Sequence, residues 1–423
     1  MLIEKFVSQV VKFKNNSYLH FDPSLAGALP ILQDKSSPLM MYIHIPFCEK
    51  QCSYCSFHKV NFEPRLAKSY FKAIQKEIKM YKELNYNFSA VYFGGGTPTV
   101  LMPELLETIS LLKTNFNIEE ISVETNPNHL DIEHLQPLKD IGISRLSVGV
   151  QSFDDEILKA TGRLHKYGSG GEIKAKINEF MDYFPTFNVD MMFNFPIQSH
   201  KSLKKDLEII NLLKPSQVTY YPLMVSSSTA KNIEKSMGSI KEKRGRSFYK
   251  TITNALDKNY NNGTAWCFNR KNIQKEKPLI DEYVINFDQY AGVGSGAFGY
   301  INGSIYANTF SILNYIKSIN DGVFPIIAKK DFTKREQLLY DFLMQLFGMS
   351  LNLDRISEKY KINARVHLFF EILFFKIIGA IRTKKGNNTL YLKDRYYWVI
   401  MMREFFSSVN NFRDYCRKKE KGG

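Results

Sequence analysis

The sequence lacks the features of a membrane or secreted protein. Its most apolar run, from Leu368 to Ile381, is too short to cross a bilayer and contains Glu371 and Lys376, so we expect a buried helix there. Residues 1–16 have no apolar core followed by a small-residue cleavage site and are typical of a short amphipathic helix, not of a secretory signal. The sequence therefore predicts a cytoplasmic protein without a membrane span.

Cysteine is also scarce, with five in 423 residues. The odd number and the lack of a secretory signal argue against a disulfide framework. Three of the five, Cys48, Cys52 and Cys55, are crowded together, whereas Cys267 and Cys416 lie far along the chain. This pattern does not match paired zinc knuckles, nor a ferredoxin cluster with a fourth thiolate nearby. Cys267 has apolar neighbours, which favours a buried structural thiol.

Acidic residues are fewer than basic ones, 42 against 57, which leaves a net charge of +15. Such a balance fits a nucleic acid, a membrane surface or an acidic small ligand, but it also occurs in proteins that bind none of these. The densest basic run, Lys241 to Arg246, has no interleaved aromatic residue. We therefore expect a solvated loop or helix face there and do not expect a nucleic-acid partner.

Between about Met40 and Met224 the chain alternates short β-branched or aromatic runs with amphipathic helical stretches. The strand-like runs are Met41–Ile45, Ala90–Phe93, Ile121–Glu124, Arg145–Val150, Asn188–Phe193 and Gln217–Pro222. The helix-like stretches include Arg65–Leu84, Pro103–Thr114, Asp131–Ile141 and Ser202–Leu213. Strand and helix in repeated alternation predict an α/β fold with parallel strands, and six such units predict an open, partial (β/α)6 barrel.

Unusual residues follow these strands, end them or, for Asp190, lie within one, near the ends where the chemistry of β/α barrels is found. In chain order they are the three cysteines, the glycine-rich Gly94–Thr97, Glu124, Gln151, Asp190 and the pair Tyr220 and Tyr221. We therefore expect one rim of the barrel to carry the functional site.

The cysteines have the spacing C-x3-C-x2-C. Three thiolates on one tight loop can bind three irons of a [4Fe–4S] cluster, which leaves the fourth iron without a protein ligand. That iron can chelate the amino and carboxylate groups of S-adenosylmethionine (SAM). Transfer of one electron to the sulfonium then gives methionine and a 5′-deoxyadenosyl radical, so the motif predicts a radical SAM enzyme.

Several neighbouring residues are candidates for the cofactor. The bare backbone of Gly95 and Gly96 permits close approach of a methionyl group. Glu124 can accept hydrogen bonds from a ribose or an ammonium group, and Arg163 can pair with a carboxylate. Each of these residues also has an ordinary structural explanation, such as a tight turn or a helix cap.

The rest of the chain is less regular. A second glycine-rich segment covers Gly292–Gly296, Thr333 and Glu336 form a capping box, and a turn is expected at Gly386. We predict an N-terminal extension over 1–39, the barrel with its cover segments over 40–329, and a small winged-helix-like domain over 330–423.

The order of motifs resembles the radical SAM family of oxygen-independent coproporphyrinogen III oxidase-like proteins. The motifs are Tyr-Ile-His-Ile-Pro-Phe-Cys-x3-Cys-x2-Cys, Gly-Gly-Gly-Thr-Pro-Thr, Glu-Thr-Asn-Pro and Arg-Leu-Ser-Val-Gly-Val-Gln-Ser-Phe. The resemblance is strong over about residues 40–225. It implies that Cys48, Cys52 and Cys55 are the metal ligands.

The resemblance also implies positions for one or two SAM molecules. Positions of cofactor contact are Tyr42, Tyr54, Gly95, Gly96, Thr97 and Glu124. Gln151, Arg163 and Asp190 match positions that hold a second SAM in the decarboxylating oxidase. The resemblance assigns no catalytic residue. His44 is expected to have a packing role only, and His58 is a weaker candidate for contact with substrate or iron.

Three branches of this family remain open. The oxidase has a fourth cysteine where this chain has Phe57. Haem chaperones also lack that cysteine but carry a His-Asn-x-x-Tyr-Trp segment, whereas the corresponding region here begins at Asp281 and has no such segment. The third branch opens haem anaerobically by methyl transfer. All three imply a tetrapyrrole as partner and a flavodoxin or ferredoxin as electron donor, with Arg163 and Arg270 as candidate cations for propionates.

Overall fold

The computed structural model describes residues 2–18, 27–32, 39–240, 244–272, 285, 287–384 and 386–421. The strands are β1 (Leu39–Ile45), β2 (Phe47–Cys48), β3 (Val60–Asn61), β4 (Phe88–Gly95), β5 (Glu120–Thr125), β6 (Arg145–Gln151), β7 (Thr186–Phe193), β8 (Gln217–Pro222), β9 (Tyr260–Asn262), β10 (Cys267–Arg270), β11 (Tyr290–Val293), β12 (Phe298–Ile301), β13 (Ser304–Asn308), β14 (Ile326–Asp331), β15 (Ser350–Asn352), β16 (Ile381–Thr383) and β17 (Thr389–Leu392).

Helices connect most of these strands. They are α1 (Leu2–Tyr18), α2 (Pro64–Glu83), α3 (Met102–Asn115), α4 (Ile132–Asp140), α5 (Asp155–Ala160), α6 (Leu164–Tyr167), α7 (Gly170–Phe180), α8 (His200–Leu213), α9 (Ala230–Met237), α10 (Gly245–Leu256), α11 (Ile312–Asn320), α12 (Lys334–Phe347), α13 (Leu353–Tyr360), α14 (Ala364–His367), α15 (Phe369–Ile377) and α16 (Tyr396–Lys421). No helix in the described ranges is long and apolar enough to cross a membrane.

One large sheet organises the molecule, in the order β14-β13-β12-β11-β1-β4-β5-β6-β7-β8-β10-β9. The strands from β11 through β8 pair in parallel, and the strands added at either end pair antiparallel. The parallel strands are buried on both faces: helices cover one side, and a mixture of apolar, aromatic and polar side chains, among them Met40, Tyr92 and Arg145, fills the other. The predicted α/β fold with a partial six-unit barrel is confirmed.

The six predicted strands are all present, and β11 adds a further parallel strand beside β1. Most of the antiparallel extensions are too short to be recognised from sequence, because β9, β10, β12 and β13 are only three to five residues long. Cys267 and Phe268 begin β10, which continues the sheet beyond β8, and Trp266 directly precedes it; all three side chains are buried. Cys267 is fully buried there, as predicted.

The region after β14 combines α12 to α16 with the antiparallel sheet β15-β17-β16. The predicted capping box of Thr333 and Glu336 begins α12. The turn containing Gly386 connects β16 to β17, and its φ of 77° is one that glycine adopts without strain. Ridges of the final helix α16 pack against α1, so the first and last described elements are neighbours.

Two expectations are wrong. The apolar run at Leu368 is not a buried helix: α15 exposes Phe370 and Ile377 by 78% and 74%, and Ile381 begins a strand. The difference arises because α15 has only one side available for packing, while its other side is equally apolar. The basic run is not merely solvated either. Arg244 donates to the backbone carbonyls of Phe195, Pro196 and Gln198, and Arg246 forms ion pairs with Glu4 and Asp394. Residues 241–243 of the run lie outside the described part of the chain.

Candidate functional site

The cysteine loop follows β1 and lies at the carboxyl ends of the parallel strands. Cys48 ends the short strand β2, and Cys52 and Cys55 lie in the turn that follows. Lys59 holds this turn together, because its ammonium donates to the carbonyls of Cys52 and Cys55 at 3.0 and 2.6 Å. All three thiols are partly exposed, whereas Cys267 and Cys416 are buried.

A chain of polar contacts connects two of the thiols through the neighbouring strand ends. The Thr97 hydroxyl lies 3.8 Å from the Cys48 sulfur, and Asn126 donates to that hydroxyl at 2.8 Å. Arg163 donates to the Asn126 side-chain oxygen at 3.3 Å and lies 3.4 Å from the Cys52 sulfur. Residues that follow β2, β4, β5 and α5 are thus brought together around one space.

The charges of the thiols also bear on what this space can hold. Burial raises the pKa of Cys48 to about 11, and the neighbouring Cys55 and Cys52 contribute in the same direction. Three thiolates in this loop therefore need positive charge beside them. Among the described residues no three His, Cys, Asp or Glu side chains converge on a single metal ion. A cluster fits this arrangement better than one ion does, because each thiolate then binds a different iron.

The glycine-rich loop after β4 passes close to the strand that precedes the cysteines. Gly95 has a φ of 114°, and a Cβ there would lie 2.5 Å from the ring of His44. A Cβ on Gly96 would lie 2.6 Å from the carbonyl oxygen of Phe47. Both positions therefore require glycine, because a Cβ at either one would clash with β1 or with the segment that follows it.

Glu124 lies at the same edge. Its carboxylate accepts from the Tyr92 hydroxyl at 2.8 Å and from the Gly95 N–H at 3.0 Å. These bonds fix the carboxylate beside the glycine loop. Tyr42, on β1, donates to His44 at 3.0 Å, and burial together with Glu124 raises the pKa of Tyr42 above its ordinary value. Both predicted cofactor positions are thus part of one group.

The two histidines near the cysteines are held as neutral rings. His44 bonds the carbonyl of His58 through Nε2, which must be a donor there, and burial lowers the pKa of His44 to about 3. His58 accepts from Arg417 and bonds Ser295 at 3.0 Å, and burial lowers its pKa well below the ordinary value. Their roles in the structure are in packing and hydrogen bonding.

Gln151 and Asp190 lie further round the rim. Gln151 has a φ of 75°, which is unusual for a residue with a side chain. The turn that follows it is held by the buried carboxylate of Asp206, which accepts hydrogen bonds from the Ser152 hydroxyl and the Phe153 N–H, at 2.8 Å each. Asp190 accepts from Ser147 at 2.8 Å and Asn188 at 2.7 Å.

Arg145 lies below Asp190 and is fully buried in the barrel. It donates to the side-chain oxygens of Ser122 and Gln217 at 2.9 and 2.8 Å. Since Ser147 bonds both Arg145 and Asp190, a polar network fills the inside of the barrel beneath the rim.

Tyr54 lies inside the cysteine turn and packs edge-on against Phe195, with 5.7 Å between ring centroids. Burial raises the pKa of Tyr54 well above its ordinary value, while the nearby Arg163 opposes that shift. Arg163 itself stacks on Tyr167 at 4.2 Å and donates to the Gly149 carbonyl. The structure thus brings all twelve predicted positions to one rim.

Arg270 is not part of this group. It lies on β10, which runs antiparallel to β8, and it donates to the Lys214 carbonyl before the start of β8. It is therefore at the opposite end of the strands. The reversal of β10 explains the difference, since a parallel strand would have carried Arg270 to the rim.

Helix α16 lies across the mouth of the barrel, in contact with the loops on both sides. Asn411 accepts from the Ser227 N–H at 3.0 Å and Asp414 from the Ser228 N–H at 3.1 Å, which fixes the helix to the loop after β8. On the other side Arg417 donates to the Phe57 carbonyl at 2.9 Å. The helix therefore spans from the last barrel strand to the cysteine loop.

The site residues that were not predicted include Asn126, Arg413 and Arg417. Asn126 could have been found, because it lies in the Glu-Thr-Asn-Pro motif directly after a strand. Arg413 and Arg417 could not, because they contact the cysteine loop from about 360 positions further along the chain.

Comparison with known proteins identifies the family to which the chain belongs. The profile of the Radical SAM superfamily matches residues 42–210. A heme chaperone HemW of Buchnera aphidicola subsp. Acyrthosiphon pisum is 30% identical over 74% of this chain and 83% of its own. The chain is a radical SAM protein. It belongs to the family that contains HemW and the oxygen-independent coproporphyrinogen III oxidases.

Two further comparisons agree with this membership. The oxygen-independent coproporphyrinogen III oxidase of Helicobacter pylori strain 26695 is 26% identical over 79% of this radical SAM protein and 78% of its own chain. The solved structure of coproporphyrinogen III oxidase HemN from Escherichia coli shares the fold, with a TM-score of 0.74 and 19% identity over 91% of this chain and 95% of that one. Members of the radical SAM superfamily use a [4Fe–4S] cluster and SAM.

Proposed function

We propose that this protein cleaves SAM reductively at a cluster held by Cys48, Cys52 and Cys55, and that the molecule it acts on is a tetrapyrrole. The observation that carries the proposal is the set of contacts from Cys48 through Thr97, Asn126 and Arg163 to Cys52. It surrounds one space with the residue types that a cluster and a zwitterionic cofactor need. When bound, these groups supply one-electron reduction and a primary carbon radical.

Each of the chain's own residues has a definite part in this proposal. Gly95 and Gly96 let the cofactor's methionyl end approach the backbone, and Glu124 accepts from its ammonium group. Arg163 offers a guanidinium beside Cys52. Gln151 and Asp190, which lie further along the rim, are proposed to contact a second SAM or the substrate. Helix α16 across the mouth suits radical chemistry, because a covered site keeps water and stray C–H bonds away from the radical.

The tetrapyrrole is proposed from the relatives and from the site. HemW is named a heme chaperone and the other relatives are named coproporphyrinogen III oxidases. Aromatic side chains line the approach to the cysteine loop, among them Phe57, Phe298 and Phe310, and a flat macrocycle packs well on such rings. The positive net charge of +15 suits a ligand that carries propionates.

A haem chaperone is the second candidate function. It is favoured by Phe57, which replaces the fourth cysteine of the oxidase and whose ring lies beneath Arg413 at 5.1 Å. The HemW relatives support it too, since several match over more than four fifths of their length. In that case the protein transfers haem intact, without turnover, and its cluster serves regulation.

The test uses the anaerobically reconstituted chain with dithionite and SAM, incubated with haem or with coproporphyrinogen III. We expect roughly four irons and four sulfides per chain, 5′-deoxyadenosine as a product, and tetrapyrrole binding at micromolar affinity or better. Mass analysis separates loss of carboxylates, methylation with ring opening, and haem that stays intact and passes to an acceptor protein.

Two variants serve as a matched pair. Cys52→Ala should abolish iron loading and SAM cleavage, whereas Cys267→Ala, in the buried strand β10, should leave both unchanged. Equal iron content in the wild type and the Cys52→Ala variant would refute the cluster assignment. No tetrapyrrole binding by the loaded wild type would refute the substrate assignment.

A further inference from the structure

Helix α16 brings two arginines to the mouth of the barrel, one helical turn apart. Arg413 and Arg417 are at i and i+4, so their side chains lie on the same face of the helix. That face meets the cysteine loop, since Arg413 lies over the ring of Phe57 and Arg417 bonds its carbonyl.

Arg413 lies between two aromatic rings. Its guanidinium carbon is 5.1 Å from the centroid of Phe57 and 5.6 Å from that of Phe298, and one of its nitrogens donates to Asn410 at 2.6 Å. The residue is only 8% exposed. Its charge acts on Tyr42, where it opposes the effects of burial and Glu124 on the tyrosine pKa. The guanidinium is therefore close to a proposed cofactor position.

Arg417 lies one turn further along. It donates to the Phe57 carbonyl at 2.9 Å and to His58 at 3.2 Å, and it faces Asp414 at 3.7 Å. Asp414 also accepts from the Ser228 N–H, so it serves to anchor the helix as well. Burial lowers the pKa of Arg417, and the nearby Asp414 and Cys55 oppose that shift.

We infer that Arg413 and Arg417 form a carboxylate-binding site that holds a propionate of the tetrapyrrole over the cysteine loop. The inference rests on the proposed function and adds the element that recognises the ligand. A guanidinium matches a carboxylate with two parallel hydrogen bonds, and the rings of Phe57 and Phe298 beside it suit a flat ligand that bears that carboxylate. Arg270 cannot serve this role, because it lies at the other end of the strands.

A carboxylate at this place could also belong to the methionyl end of SAM. The aromatic rings beside Arg413 favour the tetrapyrrole as the source of the carboxylate. Arg163 is better placed for the carboxylate of SAM, because its guanidinium lies beside the sulfur of Cys52. The two sources are separated by measuring the two ligands independently.

The experiment compares haem with haem dimethyl ester, which has no free carboxylate, in absorbance titrations of the reconstituted, SAM-loaded full chain. We expect the wild type to bind haem at least roughly tenfold more tightly than the ester, since hydrogen bonds between charged groups are lost. Arg413→Gln and Arg417→Gln should each lose most of that preference. Lys418→Gln, exposed on the same helix and with the same change of charge, should keep it.

SAM affinity by equilibrium dialysis and iron content are measured on the same samples. Both should match the wild type in the Arg413→Gln variant, which also reports that the variant has folded. Equal affinity of the wild type for haem and its ester, or a loss of SAM binding in place of haem discrimination, would overturn the inference while leaving the proposed function standing. A wild type that binds neither tetrapyrrole would overturn both.

Discussion

At the scale of single residues, Asn126 shows how the site is held together. Its amide donates to Thr97 and its side-chain oxygen accepts from Arg163, and each of these partners lies beside a cysteine sulfur. The residue is buried, and the Thr-Asn-Pro turn after β5 fixes its position. A single amide therefore aligns two sides of the cysteine loop.

We predict that Asn126→Ala weakens SAM binding about tenfold or more while iron content stays near that of the wild type, because Thr97 and Arg163 lose a shared hydrogen-bond partner. Equilibrium dialysis of the reconstituted protein measures the affinity. The matched control is Asn128→Ala, which removes only an exposed bond to Glu49 at 3.2 Å. Equal SAM affinities for the two variants would show that the Asn126 amide does not align the site.

At the scale of elements, α15 shows that an apolar helix need not be buried. Phe375 packs against Trp398 at 4.8 Å, whereas Phe370, on the opposite side of the same helix, is 78% exposed. The side chains of Phe369, Leu373 and Ile377 continue the exposed side. The apolar sequence of the segment therefore does not distinguish the side of the helix that is buried from the side that is exposed.

We predict that Phe375→Ala lowers the free energy of unfolding by about 3 kcal/mol, since it leaves a cavity beside Trp398. Phe370→Ala should change it by less than about 0.5 kcal/mol, because an exposed ring loses little on truncation. Urea unfolding of the two variants under anaerobic conditions gives both values. A large loss of stability in Phe370→Ala would mean that the exposed side is covered in solution.

The elements also show what can be read from sequence. The residues from Cys48 to Asp190 could be placed, because parallel strands all end at one edge and each motif lies at or near the carboxyl end of a strand. The direction of β10 could not be read from its four residues, and so Arg270 was assigned to the wrong end. The contacts of α16 depend on tertiary packing between distant segments, for which no local pattern exists.

At the scale of the whole molecule, the buried carboxyl of Glu77 connects distant segments. It accepts from the Gly294 N–H at 3.0 Å and from the Tyr315 hydroxyl at 2.6 Å, and so ties α2 to the second glycine-rich segment and to α11. Burial raises the pKa of Glu77 to about 7, although these hydrogen bonds oppose the shift. Burial likewise raises the pKa of Asp206, on α8, to about 7.

Because both carboxyls have a higher pKa folded than unfolded, the folded chain binds more protons between about pH 4.5 and pH 7. Stability should therefore fall as pH rises through this range, with Glu77 contributing up to about 3 kcal/mol. We predict that Glu77→Gln flattens the dependence, since an amide keeps an acceptor but cannot ionise. Unfolding midpoints measured from pH 5 to pH 8 test this.

The control is Glu179→Gln, on the exposed side of α7, which should leave the slope of stability against pH as it is in the wild type. A Glu77→Gln variant with the wild-type slope would assign the pH dependence to other groups.

The contacts that α16 makes with α1 and with the cysteine loop can form only after α16 has been synthesised. Ser8 and Lys12 both contact Glu404, 396 and 392 positions later in the chain, and Arg413 and Arg417 follow within the same helix. A ribosome makes the cysteine loop first and its cover last, more than 350 residues afterwards. At typical synthesis rates that interval is on the order of tens of seconds. During it the cysteine loop has already been made, whereas the helix that contacts it, α16, has not.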